Sequence, residues 1–266
     1  MRRHMWIIGL LMVWMSLRSG MLWAAATGEG TADPDMGLTK VLNIEEPWVE
    51  NAVYVGANLN NDFSKGHQFD FWAEEEVHFN ATWGLEIDTP EYLFQQPLNS
   101  KISDWGPISV GVKHNLLRFG TAKSTRAFLW TLEVEGTDWL HPSYTDFPGL
   151  GSSLTFETEG GIRLQNWMIQ WGGGWIQALE SAVDNVGFLN ISLGCPLNNN
   201  VVFQVENDWS LSPRLGSSTW LNTDEFIPQI GINNIGSWFF ALGESFGIDQ
   251  ISWKKATTSL LVESDI

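Results

Sequence analysis

Carboxylates recur along this chain in pairs two residues apart: Glu86/Asp88, Glu133/Glu135, Glu157/Glu159 and Glu206/Asp208. On a β-strand that spacing puts both members on one face, ~7 Å apart. Acid–base chemistry is geometrically open to such a pair, since inverting glycosidases separate their acid and base by ~6.5–9.5 Å. Catalysis also needs one carboxyl held protonated in a shielded site. Four similar pairs spread over the chain read instead as a repeated pattern, one that would line a surface or a lumen with negative charge. Lys113 and Arg163 share the alternation of these acids. In a narrow enclosure they would pair with the acids and fill the space; in a wider one they would help set charge selectivity.

Other chemistries find little footing. The histidines His4, His67, His78, His114 and His141 show no metal-ligand spacing, and Cys195 is the single cysteine, so neither a transition-metal site nor an internal disulfide is expected. Asp62, Asp70, Asp138 and Asp146 lack the order of a calcium-binding loop. No Gly-x-Ser-x-Gly motif is present, and Gly172-Gly173-Gly174 lacks the Lys-Ser/Thr that would make it a phosphate loop. The chain therefore reads as a non-enzyme without a cofactor.

The elements that carry the acids alternate apolar and polar over roughly ten residues, the length of a membrane-spanning β-strand. From Ala127 to Gly136, Phe128, Trp130, Leu132 and Val134 point one way, and Ala127, Leu129, Thr131, Glu133 and Glu135 the other. The same pattern places Phe69, Phe71, Ala73, Val77 and Phe79 opposite Asp70, Glu74, Glu76 and His78, with Glu75 interrupting the apolar row. It continues through Ile108–Leu116, Leu154–Leu164, Trp167–Trp175, Leu189–Leu193, Val201–Leu211 and Trp238–Phe246, and Ile251–Val262 offers a closing strand. Gln95–Asp104 and Asp138–Gly151 read as loops, Asn198–Asn200 and Asn233-Asn234 as tight turns. About ten strands are clear and twelve result if both ends contribute, with short turns on one side and longer loops on the other.

Composition agrees. Charged residues are 17% of the 266, below the ~25% of a soluble domain, and the sixteen Trp and fifteen Phe suit aromatic girdles at a bilayer interface. Arg2 and Arg3, the apolar stretch Trp6–Met15 and Ala24-Ala25-Ala26 form a cleavable secretory signal over residues 1–26. Residues 27–46 lack periodicity and read as a flexible extension; 47–266 read as the barrel. Removing the signal takes three Arg, leaving 14 − 3 = 11 basic against 31 acidic residues, a net charge of −20. Such a charge repels nucleic acid and anionic headgroups and attracts cations.

Within this frame, Trp83-Gly84-Leu85-Glu86-Ile87-Asp88-Thr89-Pro90 and Ile108-Ser109-Val110-Gly111-Val112-Lys113 resemble hairpin elements of Gram-negative outer-membrane "transporter" barrels, including proteins associated with phenol-degradation pathways; Gly160-Gly161-Ile162-Arg163-Leu164 is a weaker match. The resemblance spans about residues 68–250 and implies an outer-membrane location and a channel role. The expectation is an all-β, antiparallel transmembrane barrel of ten to twelve strands, exported through its signal to the outer membrane. Its lumen is expected to be narrow or plugged and cation-preferring, lined by Glu86, Asp88, Lys113, Glu133, Glu135, Glu157, Glu159, Arg163, Glu206 and Asp208. Its partners would be outer-membrane lipid and a small solute or cation. The rival reading is a secreted β-sandwich that binds carbohydrate, with a secreted hydrolase third. One departure stands out: such barrels end in an aromatic residue, whereas this chain ends at Ile266.

Overall fold

The computed structural model describes residues 42, 48–62, 66–80, 82–88, 92–97, 102–105, 108–120, 126–138, 152–179, 185–213, 220–235, 238–248 and 255–265. The expected signal sequence at residues 1–26, the expected extension at 27–46 apart from Leu42, and Ile266 lie outside them. Every regular element in this set is a strand: β1 (Ala52–Asp62), β2 (Gly66–Asn80), β3 (Trp83–Asp88), β4 (Tyr92–Pro97), β5 (Ile102–Trp105), β6 (Ile108–Phe119), β7 (Arg126–Asp138), β8 (Ser153–Leu164), β9 (Trp167–Ala178), β10 (Val186–Pro196), β11 (Val201–Pro213), β12 (Trp220–Ile235), β13 (Trp238–Gly247) and β14 (Lys255–Asp265). No helix among the described residues is long and apolar enough to cross a membrane.

Neighbouring strands pair antiparallel, and β1 pairs on one edge with β2 (Ala52 opposite Glu76) and on the other with β14 (Ala52 opposite Asp265). The ring therefore closes. It runs β1-β2-β3-β6 and then in order through β14, so fourteen strands less β4 and β5 give a closed twelve-stranded barrel. Closure leaves no open edge in the ring, the condition for backbone to cross lipid without helices. It also removes the β-sandwich reading, which needs two separate sheets.

β3 and β4 occupy one position in line along the same edge of β2: Glu74–Asn80 pairs with β3 and Gly66–Phe71 with β4. β5 then pairs back on β4. The segment Gln95–Asp104, expected as a loop, thus carries the end of one strand and most of another. In sequence, Pro90 falls between β3 and β4 and Pro107 between β5 and β6. β12 also differs from expectation. It starts at Trp220 and runs through Asn233-Asn234 to Ile235, with a register shift between Ile232 and Ile235 where a turn was expected.

The two faces follow the sequence alternation, with apolar side chains outside. On β7, Ala127, Leu129, Thr131 and Glu133 are buried while Trp130, Leu132 and Val134 are exposed. Phe79, Trp83, Trp167 and Trp238 lie outside near the short-turn end; Phe69, Trp175, Phe226 and Phe246 lie outside near the other. Trp238 and Phe246 are eight residues apart on one strand, Phe69 and Phe79 ten. At ~3.3 Å per residue and a tilt of ~40°, the two rows are ~20–25 Å apart, close to the ~25 Å apolar band of outer-membrane barrels. Polar groups on this face are bonded within it: Trp130 Nε1 donates to Thr158 Oγ1 at 2.6 Å and Thr258 Oγ1 to Glu244 Oε2 at 2.8 Å.

Candidate functional site

The barrel's interior is polar, and the strand alternation sets all ten sequence-selected residues on its inner side. Glu86, Lys113, Glu133, Glu159 and Glu206 are buried there; Asp88, Glu135, Glu157, Arg163 and Asp208 are half-buried. Register brings the first half of the ring into one acidic wall. Glu76 stands opposite Glu86, Glu74 opposite Asp88, and Glu133 opposite Glu157. Like charges directly across a ladder repel, so these rows need a counter-charge.

Lys113 on β6 supplies one. Its Nζ lies 2.7 Å from Glu86 Oε2, 3.7 Å from Glu76 Oε2 and 3.9 Å from Glu133 Oε2, and its side chain has no exposed surface. Gly111, one inward position away, makes the approach feasible: a side chain there would collide with the Glu133 carboxylate. Carboxylate oxygens of Glu74, Glu76 and Glu86 all lie within 4.8 Å of one another, so the ammonium sits among a true cluster. Arg163 is elsewhere, opposite Ala127 and Met168 near the short-turn end of β8. At the other end of this wall Thr137 Oγ1 donates to Glu135 Oε1 at 3.0 Å and is 3.0 Å from Ser109 Oγ.

The opposite wall, β9 to β14, is mostly amide and hydroxyl. Gln170, Ser192, Gln204, Gln229, Ser245 and Ser259 are buried on it, and Gln229 Nε2 donates to Glu206 Oε2 at 3.0 Å. Sequence reading selected the acids and passed over this row, although Gln170, Gln204 and Gln229 share their alternation. Glu74 and Glu76 are buried on the acidic wall as well, beyond the ten residues expected there.

The chain before β1 supplies what sequence reading did not find. Trp48, Val49 and Glu50 are buried. Trp48 packs with Ala127, Leu129, Met168 and Val202, inward residues at the short-turn ends of β7, β9 and β11. It thus reaches across the lumen at the level of the aromatic row near the short-turn end. Leu42 sits at mid-height: its backbone N–H donates to Gln229 Oε1 at 3.0 Å, and a Cβ on Gly243 would come within 2.5 Å of Leu42 Cδ1. A Cβ on Gly84 would meet Val49 Cγ1 at 2.9 Å. Two inward glycines therefore leave notches that this segment fills.

Glu50 and Tyr54 join the segment to the acidic wall. Tyr54 Oη donates to Glu50 Oε1 and lies 3.4 Å from Glu76 Oε2, the oxygen that Lys113 approaches. The Tyr54 ring is locked among Ala52, Phe239, Ala241 and Leu261, with Leu42 and Trp72 against the same cluster.

No family model matches the chain, and no curated protein matches it in sequence; the narrower resemblance to phenol-degradation proteins thus gains no support. Solved structures do match. An outer-membrane channel from Pseudomonas putida F1 aligns with TM-score 0.57 at 8% identity, covering 86% of this chain and 100% of that one. The NanC porin aligns with TM-score 0.53 at 7% identity, covering 80% and 100%. Outer membrane phospholipase A from Escherichia coli aligns with TM-score 0.50 at 9% identity, covering 88% and 99%. At such identities the likeness is one of fold. The chain has the closed antiparallel fold of outer-membrane β-barrel channels.

Proposed function

We propose that this protein is an outer-membrane channel of a Gram-negative bacterium, exported through a signal at residues 1–26. It passes small solutes through a cation-preferring lumen that its own Leu42 and Trp48–Glu50 hold closed. The observation that carries this reading is the inverted surface: apolar and aromatic outside, and inside a wall of Glu74, Glu76, Glu86, Glu133 and Glu159 around Lys113. Rings of carboxylates in a confined path favour cations. Trp48 across the short-turn mouth supports the closed state.

A non-enzymatic role is part of the reading. The phospholipase likeness means that the fold alone does not decide this. Two described histidines are engaged elsewhere: His67 Nδ1 is 2.7 Å from Asn61 Oδ1, while His114 Nδ1 is 3.1 Å from the Thr82 carbonyl and its ring stacks on Trp83.

Reversal potentials in planar bilayers test the selectivity. Trp48→Gly loosens the plug to give measurable current, and Glu→Gln changes at 133, 135, 157 and 159 are then added to it. Cation preference should fall stepwise; a reversal potential unmoved by all four would remove these residues from the path.

A further inference from the structure

We propose that Tyr54 is the positioning residue that latches the segment Trp48–Glu50 to the charged wall. The inference rests on the reading that this segment closes the lumen. Glu50 brings a carboxylate into an interior that already holds Glu76, Glu86 and Glu133. Tyr54 has one hydroxyl proton and stands between Glu50, to which it donates, and Glu76 Oε2 at 3.4 Å. Lys113 Nζ lies 3.7 Å from that same Glu76 oxygen and 2.7 Å from Glu86. Proton donors and carboxylates therefore alternate from the segment into the wall: Glu50, Tyr54, Glu76, Lys113, Glu86. The cluster around the Tyr54 ring also receives Leu42, so the same residue touches a second part of the chain before β1.

Its hydroxyl is the separable part. Tyr54→Phe keeps the ring in its cluster but takes the shared proton from between Glu50 and Glu76. The two carboxylates then repel, and the segment is driven from its seat. Glu50→Gln in the same chain removes the repulsion and restores closure.

The test is open probability in planar bilayers, with heat-modifiable gel migration as the check on the barrel. Tyr54→Phe should raise open time at least tenfold over wild type with the folded band unchanged. Adding Glu50→Gln should bring it back. In a Cys195→Ser background, oxidation of a Leu42→Cys/Gly243→Cys pair should silence Tyr54→Phe, and reduction should reopen it. A conducting Trp48→Gly beside a silent Tyr54→Phe overturns the latch and leaves the plug standing. Conductance in Tyr54→Phe that neither Glu50→Gln nor the cross-link lowers also overturns the latch, because the opening then arises in the barrel wall. If Trp48→Gly conducts no better than wild type, the plug reading fails and the latch with it.

Discussion

At the scale of single residues, Lys113 decides whether the acidic wall can exist. Its ammonium sits within 4 Å of three buried carboxylates, with no exposed surface of its own. Removing one partner of a buried ion pair leaves the others charged and desolvated, which costs ~3–5 kcal/mol. Lys113→Met should lower the unfolding free energy of the barrel in lipid vesicles by about that amount. Neutralising a neighbour as well, in Lys113→Met/Glu86→Gln, should recover part of it. A Lys113→Met barrel as resistant to urea as wild type would show that the cluster does not depend on this charge. The inward direction of Lys113 and its acids is legible in the sequence, because a strand's side chains alternate without exception along a regular ladder. Which acids it meets is not, because Glu76, Glu86 and Glu133 come from three different strands and register is set only by pairing.

At the scale of elements, the same alternation makes β6 to β11 readable to within three residues at each end, since each presents an apolar row outward, broken in β6 only by a register shift between Asn115 and Leu117. The readings that failed share a cause. β3, β4 and β5 are only six, six and four residues long, and a bulge before Ile235 breaks the period in β12, so an alternation test ends there although the pairing continues. The segment around Trp48 is unreadable for a different reason. Its described residues lie in no strand, and they contact inward residues of β3, β7, β9, β11, β12 and β13 that are distant in sequence. A plug has no period to detect. The outer rows carry their own prediction. Leu242 is exposed midway along β13 between Trp238 and Phe246, near the centre of the apolar band. Leu242→Arg should destabilise the barrel in vesicles by ~2–4 kcal/mol, whereas Phe79→Arg in the short-turn row should cost ~0–1 kcal/mol. Equal costs at the two sites would mean that these rows do not mark the membrane boundaries.

At the scale of the whole molecule, both ends of the ring lie on one side. β1 starts and β14 ends at the end where β8 and β9 are joined by residues 165–166 and β10 and β11 by residues 197–200. The opposite end carries the longer connections, among them 139–152 and 214–219. Short turns face the periplasm in barrels of this kind and long loops face outward. On the proposed channel reading, the mouth that Trp48 crosses is the periplasmic one, and whatever displaces it would act from inside the cell envelope. Cysteine labelling tests this directly, provided Cys195 is first changed to Ser. It is partly accessible and stands two residues before the 197–200 turn. In that background, Ser217→Cys should react with a membrane-impermeant maleimide on intact cells. Asn199→Cys should react only after the outer membrane is permeabilised. The reverse pattern would put the plugged mouth on the outer surface, and the segment would then act as a guard against external solutes. Labelling of both sites on intact cells would mean that the chain does not span the membrane, and the channel reading would fall with the topology on which it depends.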